Sequence, residues 1–143
     1  MNTITSANSV FALAIKNVFP VPQVLQGYAV DSAFAVESAE VAQALMGVDG
    51  RMSGGFTPFI TKMTVELQAD SPSLLVFDTW INAMKAAREV FAANATILLP
   101  SIGKNYVCTN GILTALTQMP SAKKVMQPVQ YVIQWESVVP TNA

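Results

Sequence analysis

Residues 59–69 read FITKMTVELQA, and their alternation limits what the chain can become more than any other feature. Phe59, Met63, Val65 and Leu67 share one side of an extended backbone, while Lys62, Thr64, Glu66 and Gln68 share the other. Successive side chains of a strand point to opposite faces, so one face belongs to a core and the other meets water or a wet interface. Residues 28–38 repeat the pattern, with Tyr28, Val30, Phe34 and Val36 opposite Asp31 and Glu37. In residues 129–139 (VQYVIQWESVV), Tyr131, Ile133 and Trp135 oppose Val132, Gln134 and Glu136.

Weaker strand signals fill the gaps. Residues 10–19 (VFALAIKNVF) form a short apolar run that ends at Pro20-Val21-Pro22, a sequence that cannot continue a central strand, so a strand followed by a turn is expected. Residues 96–99 stop at Pro100, Gly103-Lys104 makes a turn, and residues 106–116 contain Asn110-Gly111, which marks either a hairpin tip or a bulge. One segment breaks the period. Asp70-Ser71-Pro72-Ser73 offers a capping oxygen with a proline near the first helical position. Leu74, Phe77, Ile81, Met84 and Phe91 then recur at near-helical spacing beside Trp80, with Asn94 as terminator. The pattern predicts a helix over about 72–93. The expected fold is mainly β with one α-helix: a β-sandwich or barrel of about six or seven antiparallel strands with a flanking helix, as a single domain over 1–143.

Composition decides what such a fold is for. Only 12% of the 143 residues are charged and 52% are hydrophobic, against roughly a quarter charged in ordinary soluble domains. A net charge of −1 provides no basic footprint for duplex DNA. With no His and one Cys, Cys108, there is no imidazole base, no His-ligated metal and no intrachain disulfide. No catalytic group, metal or cofactor is expected, and the chain reads as a non-enzyme. The longest uncharged run, residues 105–122, is interrupted by polar residues, glycine and proline, so membrane insertion is not expected. Surplus apolar surface on a chain this poor in charge is expected to be buried against other copies.

Residues 47–57 (GVDGRMSGGFT) hold Gly47, Gly50, Gly54 and Gly55, with Asp49 and Arg51 between them. This is a mobile loop or the tip of a long hairpin, and it lacks the glycine-lysine spacing and following helix of a phosphate cradle.

Three segments, TVELQADSPSLLVFDTW (64–80), LLPSIGKNYVCTNGIL (98–113) and AKKVMQPVQYVIQWE (122–136), resemble tail tube proteins of contractile-tailed bacteriophages. The resemblance covers about half the chain, and it is carried by the order and spacing of the motifs. It implies a tail-tube-like sandwich or barrel that assembles into hexameric rings, stacked as a hollow inner tube through which phage DNA is ejected without specific binding. It also implies a surrounding sheath, tube-end and baseplate partners, assembly in the host cytoplasm and residence in the virion. The loop with Gly47, Asp49, Gly50, Arg51, Gly54 and Gly55 is expected to reach the adjacent ring, by position and glycine content. Lys62, Glu66, Asp31 and Glu37 are candidates for the luminal face. Lys123-Lys124 reads as a solvated turn rather than a DNA patch. The alternatives are a tube subunit of a related machine (phage-like bacteriocin or type VI secretion) and a small β-barrel module holding an apolar ligand in its interior.

Overall fold

A computed structural model describes residues 10–25, 34–69, 71–100, 102–117, 119, 122 and 125–142. Their elements are β1 (Val10–Ile15), β2 (Phe19–Val24), β3 (Phe34–Val36), β4 (Ala42–Met46), β5 (Met52–Phe56), β6 (Thr61–Leu67), α1 (Leu74–Ala87), β7 (Ala93–Leu99), β8 (Lys104–Leu116) and β9 (Val129–Asn142). Seven strands form one antiparallel sheet in the order β2-β1-β7-β8-β9-β6-β3, and β4 and β5 pair as a separate hairpin. The mainly β fold with one helix is as expected. The sheet does not close into a barrel, because β2 and β3 remain its two edges.

The alternating segments behave as their spacing requires. Met63, Val65 and Leu67 of β6 are buried, as are Val129, Tyr131, Ile133 and Trp135 of β9, and the two strands pair from Thr61↔Trp135 to Leu67↔Val129. Phe59 departs from the expectation. Pairing begins at Thr61, so Phe59 lies before the alternation and is partly exposed instead of joining the core. The described part of the 28–38 segment contributes only the short edge strand β3, paired to β6 through Phe34↔Val65 and Val36↔Met63; its residues 28–33, with Asp31, lie outside the described residues, as do Asp70, Lys123 and Lys124.

The prolines are placed differently from expectation. Pro20 and Pro22 lie inside β2 rather than ending a strand in a turn. They are tolerated because β2 is an edge. Both fall in the irregular stretch between the Leu13↔Gln23 and Ile15↔Phe19 pairs, where no regular ladder bond calls for their missing N–H groups. Asn110-Gly111 is a bulge rather than a hairpin tip. Ala93 pairs with Gly111 and Ala95 with Cys108, so β8 spends one more residue than β7, with Asn110 at φ 51°. There the inward parity changes: Gly111 and Leu113 face the core beyond the bulge, and Cys108 faces it before. The long β8–β9 pair thus turns a corner, and the sheet wraps around its own interior.

The helix fills that interior from one side. Val76, Phe77 and Trp80 are buried, the Phe77 ring stacks on Tyr131 at a centroid distance of 4.1 Å, and the Trp80 indole N–H donates to the Phe91 carbonyl at 3.1 Å. The expected cap is placed differently: Ser73 is the N-cap and makes no side-chain cap bond, the Ser71 hydroxyl accepts from the Ser73 N–H at 3.2 Å just ahead of the helix, and Pro72 precedes the first helical residue, Leu74. The helix is shorter than the expected 72–93. Arg88 turns left-handed at φ 55° and its N–H closes on the Met84 carbonyl, and residues from Ala93 onward are taken by β7.

Two consequences are measurable. A β-carbon at Gly111 would sit 2.4 Å from two atoms of the fully buried Trp135 ring. Gly111→Ala is therefore expected to lower unfolding free energy by about 1–3 kcal/mol in urea titration, the usual cost of overpacking. Burial pushes the Cys108 thiol from 9.0 up to about 11. Burial, with the Asp78 carboxylate second, pushes the Tyr131 phenol from 10.0 to about 12. Both groups are neutral when protonated, and below pH 9 folded and unfolded chains alike keep the protons. Above it the unfolded chain releases protons that the folded chain retains, so stability is lost as pH rises from about 9 towards 12. Urea midpoints measured across that range are expected to fall, and Cys108→Ala is expected to flatten the part nearest pH 9–11.

Candidate functional site

The side of the sheet turned away from the core offers two adjoining surfaces. The first is polar. On β6 and β9 the outward residues pair as Lys62↔Gln134, Thr64↔Val132 and Glu66↔Gln130. The Lys62 ammonium lies 3.7 Å from the Glu37 carboxylate, the Gln130 side-chain amide donates to Glu66, and the Asn110 amide donates to Glu136 at 2.5 Å. The Asn110 backbone N–H is in turn held by the Asn94 side-chain oxygen at 3.2 Å. Three carboxylates (Glu37, Glu66, Glu136) stand against one ammonium, Lys62, and each has a partner. Three of the four candidate luminal residues, Lys62, Glu66 and Glu37, are therefore brought together on one face. Exposed pairs of this kind contribute at most about 1 kcal/mol each, so their effect is to hold charge in place rather than to stabilise the fold.

The second surface is apolar and was missed by the sequence reading. Phe56, Phe59, Ile60, Ile112 and Val138 line an open groove of about 980 Å³, with Asn110, Gln134 and Glu136 among its polar lining. Phe56 and Phe59 meet edge to face at 6.4 Å. The one available signal was the apolar pair Phe59-Ile60 standing just ahead of the alternating strand. This groove lies on the outside of the sheet. The inward face, where an interior ligand would sit, is filled by Trp80, Trp135, Phe11 and Phe77.

From the groove rises the β4–β5 hairpin, which contains the glycine-rich segment. Residues 47–51 are its tip and residues 52–56 its returning strand. The Gly47 N–H donates to the Arg51 carbonyl at 2.7 Å, the Asp49 carboxylate accepts from the Arg51 N–H at 3.1 Å, and Gly50 takes φ 83°, which needs a glycine. Gly54 and Gly55 sit in the strand opposite Ala44 and Gln43. Every residue of both strands is exposed: Leu45 at 71%, Met46 and Met52 at 69% and Phe56 at 73%. Ala42, Ala44, Met46, Met52 and Phe56 fall on one side of this arm by register, an uncharged apolar stripe. Two strands alone are marginal in water, so the arm is a surface awaiting cover.

Among the described residues no three of His, Cys, Asp and Glu gather as a metal-ligand set, and no helix is long and apolar enough to cross a membrane.

The sequence matches the family described as tail fiber protein gp32 over residues 2–139. No curated protein matches it in sequence. Among solved structures, the fold is similar to a chain from the sheath–tube complex of the PVC extracellular contractile injection system in its extended state (TM-score 0.66, 15% identity, 93% of this chain and 88% of that one). A chain of the tube-terminating cap of the anti-feeding prophage superposes with TM-score 0.69 at 12% identity, covering 100% of this chain and 93% of that one. A chain of the PVC sheath/tube terminator superposes with TM-score 0.65 at 15% identity, covering 92% of each. At such identities the likeness is one of fold.

Since no core side chain comes from the arm, replacing residues 42–56 with a short Gly-Ser linker is expected to shift unfolding free energy by less than about 1 kcal/mol. Urea titration followed by tryptophan fluorescence checks this; loss of the cooperative transition would show that the arm is part of the folding unit.

Proposed function

The chain belongs to the tail fiber protein gp32 family, of contractile phage-like tails, and on that premise we propose that it is a structural subunit of the inner tail tube, forming hexameric rings that stack into a hollow conduit. The observation that carries this reading is the uncovered arm on an unclosed sheet. A domain whose described residues leave β2 and β3 as sheet edges and a hairpin wholly exposed completes its burial only in an assembly. The fold shared with chains of tube, terminator and cap complexes supports a tube position, and the sheath and the tube-end proteins are then its neighbours along the particle.

The outward polar face suits the bore. Its Lys62 is answered by Glu37, and Glu66 adds a further carboxylate, so among the described residues it offers passing phosphates no unpaired cation. A basic wall would hold DNA through counterion release; a slightly acidic one lets it pass. The glycine-rich arm takes the role of reaching the adjacent ring. On this reading the protein functions in the tail particle after assembly in the host cytoplasm, with no chemistry of its own.

The family description names a tail fibre, and a fibre role predicts a different particle. Purified protein examined by negative-stain microscopy and light scattering over a concentration series is expected to show rings and hollow tubes. Particles without a central channel would favour the fibre role, and a concentration-independent monomer would overturn assembly altogether.

A further inference from the structure

The exposed arm and the open groove have matching chemistry but are different patches of the same molecule. The arm presents Ala42, Ala44, Met46, Met52 and Phe56 on one side, without a charge. The groove presents Phe59, Ile60 and Ile112. Their few charges include one opposed pair: the tip carries Arg51 beside Asp49, and the groove rim carries Glu136. Arg51, at the tip, is the only cation of residues 42–56 and forms no ion pair within its own chain among the described residues. Among the described residues, Glu136 is the only charged one lining the groove. Desolvating an apolar stripe into an apolar groove is favourable in proportion to the area covered, at about 25 cal/mol per Å². Burying a lone Arg or Glu there would be costly, and pairing them removes that cost.

We infer that the groove formed by Phe59, Ile60 and Ile112 is the receptor for the β4–β5 arm of a second copy of this chain, with Arg51 of the arm directed to the Glu136 rim. This deepens the tube reading and rests on it, by naming the surface that receives the arm. On the tube reading the contact is heterologous, the arm going to one neighbour and the groove receiving the arm of another. Each copy gives an arm and takes one, and repetition builds rings or open helical stacks rather than closed dimers. The groove adjoins the root of its own arm through Phe56, so a docked arm lies against the root of the next, and the apolar surface becomes continuous through the assembly.

Cysteine cross-linking tests the pairing. In a Cys108→Ala background, Met46→Cys on the arm and Ile112→Cys in the groove are introduced singly and together, and the assembled protein is treated with a mild oxidant. The double variant is expected to give a ladder of dimers, trimers and higher species on a non-reducing gel, and each single variant nothing beyond a dimer. Arg51→Glu and Glu136→Arg are each expected to raise the concentration needed for assembly by roughly tenfold, and the two together to restore it, since a tenfold change corresponds to about 1.4 kcal/mol. Efficient dimers from Met46→Cys alone would show arms pairing symmetrically and overturn the proposal. Normal tubes without Met46–Ile112 cross-links would overturn it while leaving the tube reading intact. A wild-type chain that never assembles would overturn both.

Discussion

The pairing of β8 with β9 is the constraint on which the rest of the molecule depends. The two longest strands run together from Lys104↔Asn142 to Leu116↔Tyr131, so they carry the sheet across its corner and connect its two halves. At the corner Gly111 lies beneath Trp135, with no room for a β-carbon. The indole is held there by shape alone: its N–H is buried without a hydrogen-bond partner, which is tolerable only because the packing around it is so close. Asn110, left-handed at the bulge, sets the parity change that turns Cys108 inward on one side and Leu113 inward on the other. The same residue projects its amide to Glu136 on the outer face. One bulge therefore positions both the core and the rim of the groove.

Scarcity of charge has a structural counterpart. Among the described residues, the carboxylates of the outer face are each answered by an amide or an ammonium, and polar neighbours such as Thr64, Thr114 and Gln134 cover the remainder. Such a face stays wet without attracting counterions strongly. The neighbouring apolar surfaces, groove and arm, are where ionised groups are fewest. Polar and apolar patches are thus segregated along one side of the sheet, which is how a self-associating surface differs from a merely hydrophobic one.

Much of this was legible in the sequence wherever one face of a regular element is buried. The period-2 runs gave β6 and β9 with their inward residues, because a one-residue slip would have moved every apolar side chain to water. The helix was legible in type and position, but its end was not: Arg88 terminates it by a left-handed turn that no residue preference announces. Pro20-Val21-Pro22 was read as a turn because proline excludes a central strand; which strands are edges is a property of the whole sheet and leaves no local mark. The glycine-rich segment was seen as a loop or hairpin tip, but its extension into a two-stranded arm was hidden, since a hairpin without a core has no buried face to impose a pattern. The groove was hidden for a related reason. Its walls come from residues 56–60, 112 and 134–138, which are brought together only by the β6–β9 and β8–β9 registers.

The two edges complete the argument about assembly. Pro20 and Pro22 interrupt β2 and supply no N–H groups to an added strand. On the other side, among the described residues, β3 offers Phe34–Val36. Neither edge is a long, evenly matched ladder of the kind that drives uncontrolled strand addition, and edge pairing is therefore weak unless something else aligns the copies. The arm supplies that alignment. A side-chain contact of fixed register, made first, brings short or donor-poor edges into position to pair at high local concentration. Growth is then confined to the geometry the arm dictates, which is the condition for a chain with this much exposed apolar surface to form an ordered particle instead of an aggregate.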